Sequence, residues 1–386
     1  MTVGDETKEP LTRARPIAVL RAMIDAIDRD VLELLARRME VVSEVARFKR
    51  AHGVRIRDFA REREILEDRS SRARALGLPG EAIESIFRLV LWASRDRQAQ
   101  LRAEVPPDVE PKTVAIIGGA GAMGSLLARM FGDLGHHVMV ADVGTALRPV
   151  EAAAAADVVV VSVPIAVTEA VIREIGPEVR EDALLMDVTS IKERPLRAML
   201  ESTRASVLGT HPMFGPAVHS LQGQRIVLCR GRGDAWGDWV RTMLRARGLV
   251  VSEAAADEHD RAMAVVQVLT HLQTQVTGLA LARLGVPLAE TLRYTSPAYL
   301  LELYAVGRHF AQSPALYGPI EMENPRSAEV AATFRRAADE LAQVVGTKDQ
   351  RRFGAAFDEV RQFLGPFTEE ALEQSAFLID RLVERS

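Results

Sequence analysis

The chain has 386 residues and a formal net charge of −4, from 49 Lys and Arg against 53 Asp and Glu. This balance gives no support to nucleic-acid binding or to a polybasic membrane-binding surface, so we expect a small-molecule partner. The single cysteine, Cys229, excludes an intramolecular disulfide framework and a cysteine-rich zinc site and is typical of a reducing compartment, so we expect a cytoplasmic protein without a metal site.

The N-terminal segment, residues 1–16, carries charges of both signs and no apolar stretch, which predicts a flexible N-terminus without a signal peptide. We expect no membrane span, because the most apolar run, 154–167, contains Asp157. The length exceeds what one core of ordinary size accounts for, so two or three domains are expected.

Three helices are predicted for the first hundred residues. Apolar residues recur at three- and four-residue spacing over 19–50 without an internal Gly or Pro, which indicates one long amphipathic helix. Two further helical patterns cover 59–76 and 81–101. We therefore expect an all-helical domain over 17–104. The segment 105–112, which contains three prolines, predicts a linker.

The pattern changes after the predicted linker. Short β-branched runs alternate with helical patterns over 113–252, which is typical of an α/β domain with a parallel, doubly wound sheet. Beyond that range, helical patterns separated by Gly and Pro predict an all-helical C-terminal domain over 253–386. The runs predicted as strands are 114–117, 138–140, 158–161, 184–186, 207–208 and 226–228.

Polar residues stand at characteristic spacings on and after the long helix. Taken singly, each is better explained as a solvated surface charge. Together they resemble the all-helical chorismate mutase family over about residues 17–100. The motifs are L-R-x-x-I-D (20–25), A-R-R-M-E (36–40), F-K (48–49), R-D-x-x-R-E (57–62) and S-x-x-x-Q (94–98).

That resemblance implies conversion of chorismate to prephenate. The rearrangement is concerted and needs no acid, base or nucleophile, so the catalyst holds a compact conformer and stabilises charge on the breaking ether oxygen. The resemblance implies Arg21, Arg38 and Arg61 on the carboxylates, Lys49 and Gln98 on the ether oxygen, and Asp58, Glu62 and Ser94 on the hydroxyl or in supporting positions.

Helix geometry adds an expectation about assembly. Arg38 and Lys49 are eleven residues apart, three turns on one face, whereas Arg21 precedes Lys49 by 28 residues, roughly 42 Å along a straight helix. One small ligand cannot contact both ends. If Arg21 serves the same pocket, it comes from an antiparallel copy of the helix. This predicts a homodimer with shared active sites, and the family is built that way.

A glycine motif follows the first predicted strand. In G-A-G-A-M-G, Gly119, Gly121 and Gly124 have dinucleotide-binding spacing, with a strand before and a helix after. Asp142 closes the next strand, where a carboxylate that binds ribose belongs. It would repel a 2′-phosphate, and no Arg or Lys follows it before Arg148. NAD is therefore the expected cofactor, in preference to NADP.

A second resemblance starts near residue 112 and runs almost to the end. Alone, a histidine before proline in a loop, such as His211, is equally well a turn residue. The wider pattern resembles the prephenate dehydrogenase family, specifically its mutase-fused members. It consists of V-S-V-P (161–164), D-V-T-S-I-K (187–192), H-P-M-F-G-P (211–216) and V-G-R-x-F-A-Q (306–312).

The dehydrogenase resemblance implies His211 as the catalytic residue. It would take the proton of the ring C4 hydroxyl as hydride leaves C4 for NAD, while the ring carboxylate departs as carbon dioxide. With a free pKa near ~6.5 it can do so close to neutrality. The resemblance also implies substrate-site roles for Ser190 and His271, although pattern alone places His271 on a solvent-facing stripe.

One residue departs from the fused family. In S-P-A-Y-L-L-E-L (296–303), Leu300 stands where that family has an arginine that anchors a substrate carboxylate. Leucine cannot form the bidentate ion pair. Arg293 or Arg308 could substitute, the substrate could differ, as in 4-amino-4-deoxyprephenate, or the dehydrogenase could be impaired or serve as a regulatory module. The favoured prediction is a bifunctional enzyme of tyrosine biosynthesis that converts chorismate through prephenate to 4-hydroxyphenylpyruvate.

Overall fold

The computed structural model describes residues 15–52, 58–102, 110–218 and 220–383. The chain divides into two compact units. One contains Met1–Val109 with Ser220–Gln222 and Ala246–Gly248, and the other contains the remaining residues. The predicted flexible N-terminus lies outside the described residues up to residue 14, and so does the predicted linker over 105–109.

The first unit contains three helices, α1 (Ile17–Ala51), α2 (Phe59–Ala75) and α3 (Gly80–Arg102), as the periodicity predicts. Asp58 caps α2, since its side chain accepts a hydrogen bond from the Arg61 N–H. The α3 helix packs on both α1 and α2. The small buried core includes Val42, Ala46 and Leu91. Much of the apolar face of α1 stays exposed within the chain.

The second unit is built on one seven-stranded sheet with the order β2-β1-β3-β4-β5-β6-β7. Its central strands are fully buried, which explains their continuous β-branched runs. The strands are β1 (Thr113–Ile117), β2 (His137–Ala141), β3 (Val158–Val161), β4 (Leu184–Asp187), β5 (Ser206–Pro212), β6 (Arg225–Arg232) and β7 (Val250–Glu253).

The sheet differs from the expected all-parallel arrangement at one edge. Strands β1 to β5 are parallel, but β6 runs antiparallel to β5, and β7 is parallel to β6. No helix lies among the described residues between β5 and β6, and a parallel pairing would need such a crossover. The short edge strand β7 is largely exposed and was not predicted, because it lacks a buried apolar run.

In the described segments 110–218 and 220–383, five α-helices flank the sheet and eight α-helices follow it, which confirms the predicted fold class. The flanking helices are α4 (Ala122–Asp133), α5 (Pro149–Ala155), α6 (Ile165–Ile175), α7 (Glu193–Ser202) and α8 (Asp234–Ala246). The C-terminal helices are α9 (Ala256–Met263), α10 (Thr270–Leu284), α11 (Leu288–Arg293), α12 (Pro297–Phe310), α13 (Pro314–Met322), α14 (Ser327–Thr347), α15 (Gln350–Leu364) and α16 (Phe367–Val383), with a π-helical turn, Ala264–Leu269, between α9 and α10.

Among the described residues, no helix combines the length and apolarity that a bilayer crossing requires.

Candidate active sites

The first candidate site begins where β1 turns into α4. Gly118 has φ +85°, a left-handed conformation that glycine adopts without strain. A Cβ on Gly124 would contact the carbonyl oxygen of Gly118 and would lie 2.7 Å from the Cα of Gly119. The absence of side chains therefore lets the first turn of α4, which follows the N-cap Gly121, approach the end of β1. Such a backbone turn at a helix N-terminus binds pyrophosphate.

A carboxylate stands beside this turn. Asp142 directly follows β2, and its Oδ2 accepts a hydrogen bond from the Ala120 N–H at 2.9 Å. Its Oδ1 accepts from the Val143 N–H at 2.7 Å. The side chain is thereby fixed at the position where the dinucleotide fold uses a carboxylate to bind ribose hydroxyls.

The charge beside the turn favours NAD. Arg148, the next cation along the chain, forms an ion pair with Glu151 at 2.6 Å and is mostly exposed. The first cation after Asp142 in the described segment 143–148 is therefore already paired with a carboxylate. The glycine turn, the start of α4 and the carboxylate together fit NAD.

His211 lies inside strand β5 and not in the loop that the sequence predicted. The antiparallel partner β6 extends the pairing to His211 and Pro212, opposite Val227 and Ile226. The imidazole is only 2% exposed. Burial, with smaller contributions from nearby His259 and Lys192, holds the pKa of His211 well below its usual value. The ring is therefore neutral at pH 7 and available as a proton acceptor.

A second buried histidine contacts His211. The Nδ1 of His211 lies 2.9 Å from the Nε2 of His259, and the Nδ1 of His259 lies 2.8 Å from the Oδ1 of Asp260. The same carboxylate accepts the backbone N–H of Lys192 at 2.7 Å and that of Glu193 at 2.9 Å, at the start of α7. Three buried side chains thus form one hydrogen-bonded chain that ends on a helix N-terminus.

A buried ion pair lies beside β5. The Lys192 ammonium is fully buried and donates to Asp187 Oδ2 at 2.5 Å and to the Thr210 carbonyl at 2.7 Å. Breaking such a pair would leave an uncompensated buried charge, so it holds the D-V-T-S-I-K segment against β5. Ser190, which the resemblance assigns to the substrate site, lies half-buried in this segment.

The other nitrogen of His211 contacts the C-terminal helices. The Gln267 amide nitrogen lies 3.3 Å from His211 Nε2. Gln267 belongs to the π-helical turn, and such turns often occur at functional sites. His271 lies four residues further along the chain, in the first turn of α10. The stripe that pattern alone assigned to solvent therefore contributes to the site.

His271 belongs to a cluster of polar and aromatic side chains. Its ring meets Tyr317 edge-on with centroids 4.8 Å apart, and His309 stacks on Tyr317 at 3.9 Å and lies 5.5 Å from the His271 ring. Gln275 donates to Glu321 at 2.7 Å. Burial lowers the pKa of His271 to about 4, with a smaller effect from His309, and burial raises the pKa of Glu321.

The position of the missing arginine lies on α12. Leu300 is half-buried, whereas Arg293 and Arg308 are exposed within the chain. Arg308 is close enough to Tyr317 to lower its pKa, although burial raises that pKa overall. Of the two candidate substitutes for the arginine, Arg308 is thus the one beside the histidine cluster.

The second candidate site lies among the three helices of the first unit. Arg38 donates to Ser94 at 2.5 Å, and burial, with nearby Arg69, lowers the pKa of Arg38. Gln98 lies one turn beyond Ser94, and its Oε1 is buried without a hydrogen-bond partner. The structure thus brings Arg38 and Ser94 into contact and places Gln98 one turn away on the same helix.

The other residues predicted for this site lie on α1 and at the start of α2. Glu62 pairs with Arg95 at 2.8 Å. Asp58 caps α2, and the exposed Arg61 pairs with Glu64 at 2.7 Å. Lys49 is half-buried near the end of α1. Arg21 is exposed near the start of the same continuous helix, so one chain does not bring it to the other predicted residues.

Sequence reasoning assigned no role to His259, Asp260, Gln267 or Lys192. Lys192 ends the D-V-T-S-I-K motif, and Gln267 stands on the polar stripe of His271, so both carried a local signal. The pair at 259–260 carried none, because its contact with His211 spans 48 residues.

Three family models match consecutive parts of the chain. They are chorismate mutase type II over residues 20–99, the nucleotide-binding domain of prephenate dehydrogenase over 135–253, and the dimerization domain of prephenate dehydrogenase over 255–359.

Curated relatives match over most of the length. The T-protein of Enterobacter agglomerans is 36% identical over 364 residues, which cover 94% of this chain and 97% of the relative. The 4-amino-4-deoxyprephenate dehydrogenase of Streptomyces pristinaespiralis is 30% identical over 274 residues, which cover 65% of this chain and 90% of the relative.

Solved structures share the fold of the second unit. The prephenate dehydrogenase of A. aeolicus, in complex with hydroxyphenyl propionate and NAD+, superposes with a TM-score of 0.55 at 18% identity. The match covers 66% of this chain and 97% of that chain.

Proposed function

The chain belongs to the T-protein family of fused chorismate mutases and prephenate dehydrogenases, and from this membership we propose which residues perform each reaction. The protein is a bifunctional enzyme of tyrosine biosynthesis. It rearranges chorismate to prephenate and, with NAD, oxidatively decarboxylates prephenate to 4-hydroxyphenylpyruvate. The domains that carry these activities are assigned as 17–104 for the mutase, 113–252 for nucleotide binding and 253–386 for substrate binding and dimerisation.

His211 is the base of the dehydrogenase. The observation that carries this assignment is a buried, neutral imidazole at the carboxyl end of β5, where ligands bind in such sheets. Its Nε2 accepts the proton of the substrate's C4 hydroxyl. The developing C4 carbonyl assists departure of the hydride, and loss of the ring carboxylate as carbon dioxide makes the ring aromatic. Ser190 and His271 bind the substrate.

The nucleotide site consists of Gly119, Gly121, Gly124 and Asp142. The glycines and the start of α4 hold the pyrophosphate, and Asp142 holds the ribose hydroxyls. When bound, NAD supplies the hydride acceptor.

The mutase site acts by positioning and charge. Arg38 and Ser94 are already in contact, and Gln98 lies one helical turn beyond Ser94, where its amide N–H group can donate to a bound substrate. Lys49 and Gln98 stabilise the ether oxygen as its bond breaks. The full set is Arg21, Arg38, Lys49, Asp58, Arg61, Glu62, Ser94 and Gln98.

A homodimer completes this site. Ile24, Ile27 and Leu34 on α1 are each more than half exposed within one chain, and an antiparallel copy of α1 would cover them. The same copy would bring its Arg21 to the pocket that contains Lys49. The exposed Leu279 and Leu284 on α10 and the match to a dimerization domain support the same assembly.

A second candidate function is the same chemistry on 4-amino-4-deoxyprephenate. Leu300 favours it, because the anchoring arginine of the fused family is missing, and a relative named for that substrate aligns with the dehydrogenase half.

The His211→Asn variant tests the central assignment. We expect NADH production from prephenate to fall about 10²- to 10⁴-fold, since a positioned base contributes that much. The affinity for NAD, measured by fluorescence titration, should stay within about twofold, because the base acts on the substrate hydroxyl. A variant with the normal prephenate rate would remove His211 from the mechanism.

A further inference from the structure

We propose that His259 and Asp260 are positioning residues that fix the tautomer of His211, so that its Nε2 is the proton acceptor and its Nδ1 carries the hydrogen. The inference deepens the proposed function and rests on His211 being the base. It starts from the chain of buried hydrogen bonds that joins His211, His259 and Asp260.

The direction in which each of these hydrogen bonds is donated follows from the Asp260 carboxylate at the end of the series. Asp260 accepts a backbone N–H bond on each of its two carboxylate oxygens at the start of α7. A carboxylate can only accept, so the Nδ1 of His259 carries a hydrogen and donates it. With its one hydrogen at Nδ1, the His259 ring has a lone pair at Nε2. That lone pair accepts the Nδ1–H of His211 at 2.9 Å.

The contact at the other ring nitrogen of His211, Nε2, is consistent with the same direction of donation. In its orientation here the Gln267 amide nitrogen lies 3.3 Å from His211 Nε2, to which it donates when that nitrogen carries the lone pair. Both ends of the imidazole therefore specify the same tautomer. The lone pair at Nε2 faces the π-helical turn that leads to His271, which is the side from which the substrate would bind.

The same series of hydrogen bonds stabilises the His211 ring after His211 accepts a proton from the substrate. Protonated His211 would be a cation in a buried site, with the Lys192 ammonium nearby and already paired with Asp187. Its Nδ1–H donates to His259, and the Asp260 carboxylate supplies the balancing negative charge. The Nδ1 proton can pass to His259 Nε2, which places the cation directly beside that carboxylate. The proton count is conserved, because Nε2 of His211 keeps the proton it received from the substrate.

Histidine nitrogen NMR on the whole enzyme tests the tautomer directly. With ¹⁵N-labelled histidine at pH 7.5, the His211 signal, assigned by its loss in His211→Asn, should show a protonated Nδ1 and an unprotonated Nε2. A His211 ring protonated at Nε2 would overturn the proposal. That result would not decide whether His211 is the catalytic base, because the His211→Asn assay tests that role separately.

Substitutions at position 259 test the consequence for catalysis. His259→Leu removes the acceptor, so kcat for prephenate should fall about 10²-fold or more, with KM and NAD affinity changed less than about threefold. His259→Gln retains an acceptor at the terminal side-chain oxygen and should recover at least about tenfold of that loss. The mutase rate of each variant serves as the folding control.

His136→Gln is the matched control, because His136 is also a buried histidine of the second unit but lies at the start of β2, outside the site. It should leave kcat unchanged. A His259→Leu enzyme with normal kcat would overturn the proposal. Equal losses in His259→Leu and His259→Gln, with the NMR tautomer unchanged in both, would also overturn it, since the loss would then be independent of the acceptor.

Discussion

Leu300 is the residue at which the substrate site departs from the fused family. Loss of a charge-assisted pair to a carboxylate typically costs roughly 2 to 5 kcal/mol in a buried site. Prephenate turnover should therefore be weak unless another cation replaces the arginine. We expect Leu300→Arg to raise kcat/KM for prephenate by at least about tenfold, measured by NADH formation.

The alternative outcomes identify what binds the carboxylate instead. If the native enzyme already turns over prephenate efficiently and Leu300→Arg impairs it, the anchor is elsewhere, and Arg308 beside Tyr317 is the first residue to substitute. If the native enzyme ignores prephenate but oxidises 4-amino-4-deoxyprephenate, the second candidate function replaces the first.

Candidate site residues were predictable from the sequence where they belong to a short local motif. Asp142 follows from its place at the end of a strand after a glycine motif, and His211 from the H-P-M-F-G-P pattern. The partners of His211 were not predictable, because His259 reaches it only through the packing of α9 against the edge of the sheet. Local periodicity does not predict a contact between two residues that are 48 positions apart in the sequence.

The turn from β1 to α4 supports a prediction about NAD binding, and a second glycine on α4 provides its control. A Cβ at Gly124 would collide with the backbone at Gly118 and Gly119, whereas a Cβ at Gly132, on the same helix, would meet nothing within 4 Å. Gly124→Ala should therefore push α4 away from the turn and weaken NAD binding by about tenfold or more, as measured by calorimetry. The estimate corresponds to losing one charge-assisted hydrogen bond to phosphate.

Gly132→Ala should keep the NAD affinity and should stabilise α4 slightly, because alanine is the better helix former by about 1 kcal/mol. Equal NAD affinity in the two variants would show that the close approach at Gly124 is not required for the nucleotide.

Elements with a strong internal period were the easiest to predict. The helices α1 to α3 and the buried strands β1, β3 and β4 follow directly from apolar spacing. The reversed direction of β6 was missed, because strand direction depends on the connection and not on the strand's own sequence. The π-helical turn was missed for a related reason, since a 3.6-residue period assigns its Gln267 and the following His271 to one solvent-facing stripe.

At the scale of the whole molecule, the shared mutase site predicts complementation. Arg21→Ala and Lys49→Ala should each be inactive as mutases, because each homodimer then lacks one essential cation in both pockets. Subunit exchange between the two variants gives mixed dimers in which one of the two pockets has lost both cations and the other is intact. We therefore expect mutase activity to return to roughly a quarter of the wild-type rate, since about half of the dimers are mixed and each has one working site.

Mixing without recovery, when native mass spectrometry shows that the subunits have exchanged, would contradict the shared pocket. Recovery would also support the continuous α1 helix as the element that joins the two chains, because Arg21 and Lys49 lie near its opposite ends.

The central claim is that one chain performs two consecutive reactions at separate sites. The most direct test supplies chorismate and NAD to the wild type, Lys49→Ala and His211→Asn, and follows chorismate loss and NADH gain separately. The account predicts both signals for the wild type and prephenate accumulation without NADH for His211→Asn. For Lys49→Ala it predicts neither signal from chorismate, but normal NADH formation from added prephenate. Loss of both activities in either correctly folded variant, or NADH formation from chorismate at the wild-type rate in Lys49→Ala, would contradict it.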